Sequence, residues 1–155
     1  ASSALLEPLG HSIPMEPVLG QALELVLPAG LDNAADPWSQ WPGVVVCQGT
    51  NLVPRPPLEG QTRLWLGASL EPGQVADPAE LERLLLLNGQ APPWLLEARV
   101  ERRWQGVRPH PIGQPAPVLK TLEPTLLLAS GHYRNGVLLA PASAEWVSSQ
   151  ITCSP

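Results

Sequence analysis

Twenty prolines and thirteen glycines punctuate this chain, and their spacing restricts its fold more than any other feature. Proline removes a backbone donor and fixes φ, while glycine weakens the interior of a regular element, so short strands and turns are favoured over regular helical crossovers. The two types make up about a fifth of the residues, just under the level at which an aperiodic sequence is disordered. Hydrophobic residues at 44% and a net charge of −5 favour a folded domain, because collapse is not opposed by strong self-repulsion. With 155 residues the chain suits a single domain, long enough to bury roughly 68–70% of its unfolded surface.

Between the punctuation marks, Leu19 to Leu27, Val44 to Cys47, Thr62 to Ala68 and Ala98 to Trp104 carry β-branched or alternating apolar residues and read as strands. Leu126 to Ala129 reads as a further short buried strand. Ala29 to Gly43, with Asp32, Asn33, Asp36, Pro37, Trp38 and Trp41, reads as a surface loop. Asp77-Pro78-Ala79-Glu80 has the marks of a helix start: an aspartate N-cap, proline at the first helical position and a glutamate at the third. That helix is expected to run to Leu87 and stop at Asn88-Gly89.

A second helix is expected from Val137 to Ile151, with Val137, Leu138, Ala144, Val147 and Ile151 approximating one face. Pro141 leaves two forms open, a short turn before a helix starting near Pro141 or one helix kinked there. Strands without regular crossovers imply an α+β fold, an antiparallel-rich mixed sheet with a few helices.

Composition narrows the partners. One lysine, Lys120, accompanies eight arginines and the only basic run is Arg102-Arg103, so neither nucleic acid nor an anionic membrane is expected. Apolar stretches such as Leu84 to Leu87 fall far short of the ~20 residues that span a bilayer. Ala1 to Leu9 lacks the pattern of a signal peptide. Cys47 and Cys153 form neither a metal spacing nor a disulfide framework, and a cytoplasmic location is expected.

Self-contained catalytic machinery is also lacking. There is no dinucleotide fingerprint, phosphate loop or nucleophile elbow, and His11, His110 and His132 stand outside any metal-ligand pattern, so neither a metal site nor a catalytic residue is assigned. Glu80, Glu82, Glu97 and Glu101 read as solvated.

Two segments carry chemistry. In Gly131-His132-Tyr133-Arg134-Asn135-Gly136-Val137, glycines flank three large polar side chains ahead of an apolar helix. Such a loop can bring backbone close to a flat ligand, and a helix N-terminus favours an electron-rich partner; an ordinary surface turn is the alternative. In Trp104-Gln105-Gly106-Val107-Arg108-Pro109, a strand ends on an arginine set by Gly106 and Pro109. A held guanidinium suits bidentate capture of a carboxylate, the alternative being a surface ion pair. Arg55, between Pro54 and Pro56, reads as structural.

Five stretches then fall in order along the chain: Pro14 to Gln21, Leu52-Val53-Pro54-Arg55, Leu66 to Gly73, Trp104 to Pro109 and Gly131 to Pro141. In that order they resemble the C-terminal half of the flavin-dependent oxidoreductases of the D-amino-acid oxidase family, above all its glycine-oxidase-like branch linked to thiamine biosynthesis. The resemblance implies a substrate domain over residues 1–155, with FAD as cofactor of the complete enzyme and a small amino acid or amine as substrate. It implies that Arg108 binds the substrate carboxylate, that Asn51, Leu70 and Arg134 line the substrate site, and that Gly131, His132, Tyr133, Arg134, Asn135, Gly136 and Val137 lie along the flavin.

Asn51 stands where the family often has tyrosine, and His110-Pro111-Ile112-Gly113 replaces its usual Asp-Gly. Ala1 to Leu6 resembles the helix that follows the family's cofactor-binding half, so that half is an expected partner outside these residues, and FAD is not expected to bind them tightly alone. A stand-alone ligand-binding or protein-interaction module that keeps the fold without redox chemistry is the alternative.

Overall fold

The computed structural model describes residues 2–31 and 43–152. In it the chain forms two compact units, one of Leu19–Gly106 and one that combines Ala1–Val18 with Val107–Pro155. The expected loop from Ala29 to Gly43 falls largely outside the described residues, as does Cys153.

Unit Leu19–Gly106 is built on strands β1 (Met15–Val26), β2 (Val45–Cys47), β3 (Thr50–Leu58), β4 (Gln61–Gly67) and β5 (Glu71–Pro72). They form a sheet of order β2-β3-β4-β1-β5, and β6 (Arg99–Pro111) also pairs with β1. The register is antiparallel, with Leu23 opposite Leu66 and Leu25 opposite Leu64 on β1 and β4, and Leu52 opposite Leu66 on β3 and β4. Those leucines, with Leu27, Leu84, Leu87 and Leu95, form the core. Eight consecutive residues of β1, Val18 to Leu25, are buried, so Gln21 and Glu24 need internal partners. Glu24 is paired with Arg63, and Arg102 lies 3.8 Å from its other oxygen.

Helix α2 (Pro78–Leu86) begins as its sequence requires: Asp77 Oδ1 accepts from the Ala79 N–H at 2.9 Å and proline stands in the first turn. It ends in a left-handed residue at Leu87 (φ 44°), followed by a single 3-10 turn over Leu87–Gly89 and the short helix α3 (Pro93–Leu96).

The other unit holds helix α1 (Ser2–Leu6), the antiparallel hairpin β7 (Val118–Glu123) and β8 (Leu126–Ser130), and helix α4 (Gly136–Thr152). Its core is small, with Leu6, Val118 and Leu128 buried and Ile13, Met15 and Leu122 packed against them. Helix α4 runs through Pro141 without interruption, so the short-turn form is set aside. The expected apolar face is mostly exposed: Val137 is 95% exposed, Leu138 79% and Ile151 64%, Ala144 is also exposed and Val147 is half-buried, whereas Ser143 is the buried residue of the helix.

Two further expectations are corrected. β6 does not end at Arg108 but continues to Pro111; among the described residues its one partner strand is β1, and a strand with a single partner tolerates the missing donors of Pro109 and Pro111. β3 was not expected at all. Its three prolines are tolerated because β2 covers only Thr50 to Leu52, leaving one side of Val53 to Leu58 outside that pairing. Among the described residues no helix is long and apolar enough to cross a membrane.

Candidate functional site

The expected site residues divide between the two units. In Leu19–Gly106, Asn51 lies on β3 opposite Val46 on one side and Gly67 on the other. Leu70, three residues beyond Gly67, is 50% exposed although its neighbours Ser69 and Glu71 are buried. A polar knot holds it there. The Gln21 N–H donates to Ser69 Oγ at 2.7 Å and the Ser69 N–H donates to the Gln21 carbonyl at 3.0 Å.

The Glu71 carboxylate closes the knot by accepting from Ser69 Oγ, from Gln21 Nε2 at 3.0 Å and from the Asp77 N–H at 2.7 Å. Burial pushes the Glu71 carboxyl up. The donors from the Asp77 backbone, Ser69 and Gln21 together outweigh it and hold the group below its ordinary range. Gly67 (φ 144°) completes the corner, since a Cβ there would stand 2.8 Å from the Ala22 Cβ. Gln21, Ser69 and Glu71 lie in two of the family-like stretches, but their network escaped the sequence reading because the contacts of Gln21 span 48 to 50 residues and no local pattern marks them.

Arg55 behaves as expected of a structural residue, with its guanidinium 3.8 Å from the centre of the Trp65 ring.

In the other unit, Arg108 and His110 are half-buried while Val107 and Pro109 between and before them are exposed. Successive strand residues point to opposite faces, so Arg108 and His110 share one. The His110 ring meets the Tyr133 ring, centroids 4.4 Å apart, and His110 Nδ1 lies 2.6 Å from Glu16 Oε1. The Arg108 face of β6 is therefore the face that meets the Gly131–Gly136 loop.

That loop is a tight turn. The Asn135 N–H donates to the His132 carbonyl at 3.0 Å and the Leu139 N–H to the Asn135 carbonyl at 2.9 Å, so the turn leads straight into α4. Tyr133 takes φ 53°, a left-handed conformation that costs a non-glycine residue about 1–3 kcal/mol and needs support from its surroundings. Gly131 (φ 65°) is buried where a Cβ would stand 2.8 Å from Pro111 Cγ and 3.2 Å from Met15 Cε and Val118 Cγ2. His132 turns to α4, its Nε2 hydrogen-bonded to Ser143 Oγ at 2.8 Å. Arg134, Asn135 and Val137 are exposed.

Comparison with known proteins gives the family. The family model "FAD dependent oxidoreductase" (DAO) matches residues 1–150. A glycine oxidase of Pseudomonas putida is 32% identical over 155 residues, covering 97% of this chain and 39% of that protein. Crystal structures of glycine oxidases from Geobacillus kaustophilus and Bacillus cereus superpose with TM-scores of 0.71 and 0.73 at 26% and 25% identity. Each covers 97% of this chain, which spans 39% and 40% of theirs. The chain belongs to the FAD-dependent oxidoreductases of the D-amino-acid oxidase family.

Proposed function

We propose that these residues form the substrate domain of a glycine oxidase-like enzyme that oxidises a small amino acid or amine. The observation that carries the reading is the shared face of Arg108 and His110 on β6, because His110 is in ring contact with the loop. An arginine on that face is suited to hold a carboxylate with two charge-assisted hydrogen bonds while the rest of a small substrate lies toward the loop. Arg134 is taken as a secondary polar contact, and Asn51 and Leu70 of the other unit as residues that touch substrate in the complete enzyme.

The loop fits a flavin in its chemistry. The side chains of His132 and Tyr133 engage the protein, which leaves backbone, Arg134 and Asn135 at the N-terminus of a 17-residue helix. N–H groups of a helix's first turn lack intrahelical partners and favour an electron-rich edge. Gly131 to Val137 would hold FAD, which when bound supplies the acceptor for oxidation of the substrate's C–N bond. This domain then contributes orientation and fixed dipoles, not a proton-transfer group of its own. A cofactor-binding half is the implied partner, and the exposed Val137 and Leu138 on α4 suit packing against it.

Steady-state kinetics on FAD-loaded protein test the reading. Arg108→Ala and Arg108→Lys should both raise KM for an amino acid steeply, by about 2–5 kcal/mol of lost binding for the alanine variant, with little effect on the matching amine without a carboxylate. Equal weakening of both substrates by Arg108→Ala would place the carboxylate site elsewhere.

A further inference from the structure

We infer that Ser143 and His110, which lie outside the Gly131–Gly136 loop, are positioning residues that fix its shape from two sides. The inference deepens the proposed function and rests on its reading of the loop as cofactor-facing.

Two side chains of the loop are directed into the protein. His132 reaches Ser143 Oγ at 2.8 Å, and Ser143 is 7% exposed, the buried position of a helix face on which Leu139, Trp146 and Val147 are half-buried. Among half-buried apolar neighbours a small hydroxyl side chain contributes little packing of its own, and its value lies in the bond it makes. On the other side, Tyr133 occupies a left-handed conformation that tyrosine rarely adopts, and its ring lies against His110. His110 is in turn held by the Glu16 carboxylate at 2.6 Å.

The two contacts bracket the turn. Ser143 fixes the residue before the left-handed position, and His110 fixes the ring of the residue at it. Gly131, packed against Pro111, Met15 and Val118, supplies the fixed point at which the loop leaves β8. With His132 and Tyr133 so engaged, Arg134 and Asn135 are the exposed residues of the turn.

The test uses full-length, FAD-loaded protein carrying Ser143→Ala, Ser143→Thr, His110→Ala or His110→Phe. Amide hydrogen exchange is followed over Gly131–Gly136, with the β7–β8 hairpin as internal reference. Ser143→Ala and His110→Ala should each speed exchange in the loop by about tenfold, the loss expected for one modest contact, and leave the hairpin unchanged. They should shift the visible flavin absorption and lower kcat with KM nearly kept. Ser143→Thr keeps the hydroxyl and His110→Phe keeps the ring, so each should recover most of the loss.

Unchanged loop exchange in both alanine variants overturns the inference, and so does faster exchange spread equally over the hairpin. Faster exchange confined to the loop, with flavin absorption and kcat unmoved, upholds the positioning role and overturns the cofactor-facing reading.

Discussion

Leu19–Gly106 is held by leucines, and the unit of Ala1–Val18 with Val107–Pro155 is held to a greater degree by individual polar and ring contacts. The first has nine buried apolar residues in one cluster, all leucine, drawn from β1, β3, β4 and the helical segment after them. The second buries Leu6, Val118 and Leu128 and depends on named contacts such as His132–Ser143, His110–Tyr133 and Gly131 against Pro111. Apolar burial is non-directional and tolerant of small displacement, whereas a hydrogen bond or close backbone approach holds only one geometry. The better-packed unit thus carries stability, and the unit with the cofactor-type loop carries shape. A functional loop needs its shape more than it needs bulk.

Truncation in the leucine core should give the largest effect. Leu23→Ala removes a side chain that is 0% exposed between β3, β4 and the helices, and should lower unfolding free energy by about 2–5 kcal/mol in urea denaturation. A loss below ~1 kcal/mol would mean that Leu19–Gly106 is not the stabilising unit.

Gly131→Ala probes the other unit at its tightest point. The new Cβ meets Pro111, Met15 and Val118 and is placed on a left-handed backbone, so a loss of about 2–3 kcal/mol is expected. Gly60→Ala shares the positive φ, at 75°, but has nothing within 4 Å of the added atom, so it measures the backbone component alone at about 1 kcal/mol. Equal costs at the two glycines would show that Gly131 is a turn residue and not a packed fixed point.

The polar knot around Glu71 is one place where the leucine-rich unit behaves like the other one. Its carboxyl titrates lower folded than unfolded, so the unfolded chain takes up the proton first as pH falls. The stability contributed by the carboxylate is complete above the unfolded value and is lost as pH drops through the acid range toward the folded one. Glu71→Gln should therefore cost about 1–3 kcal/mol at neutral pH and flatten the acid side of the stability curve, read by thermal unfolding between neutral and acid pH. A variant curve parallel to the parent's would remove Glu71 from the knot.

Legibility in the sequence follows the same division. Strands β1, β4 and β8 and helix α2 were readable because their signals are local: apolar runs between turn residues, and a capping aspartate followed by proline. β3 was hidden by Pro54, Pro56 and Pro57, whose tolerance depends on which neighbour strand is present, and β7 by the mixed run Val118-Leu119-Lys120-Thr121-Leu122-Glu123. At the site, the loop was visible in its glycines, but its supports were not. Glu16 and His110 are 94 residues apart, and nothing local in either marks the pair. The apolar stripe of α4 was legible as a stripe. What covers that stripe was not legible, because periodicity gives the face of a helix and not its neighbour.

That stripe gives the smallest expected effect and the sharpest use of it. Leu138 is 79% exposed, so replacing it in the 155-residue chain removes almost no buried surface. Leu138→Gln should change unfolding free energy by less than about 0.5 kcal/mol, since glutamine is also a good helix former and leaves α4 intact. If a cofactor-binding half packs on α4, the same substitution in the longer protein exchanges a buried leucine for a polar amide and should cost about 1.5–3 kcal/mol or more. The difference between the two proteins is the quantity to measure, by urea unfolding of each with and without the substitution. A loss confined to the longer protein means that Leu138 belongs to an interface. A small effect in both leaves Leu138 a solvent-facing residue of α4.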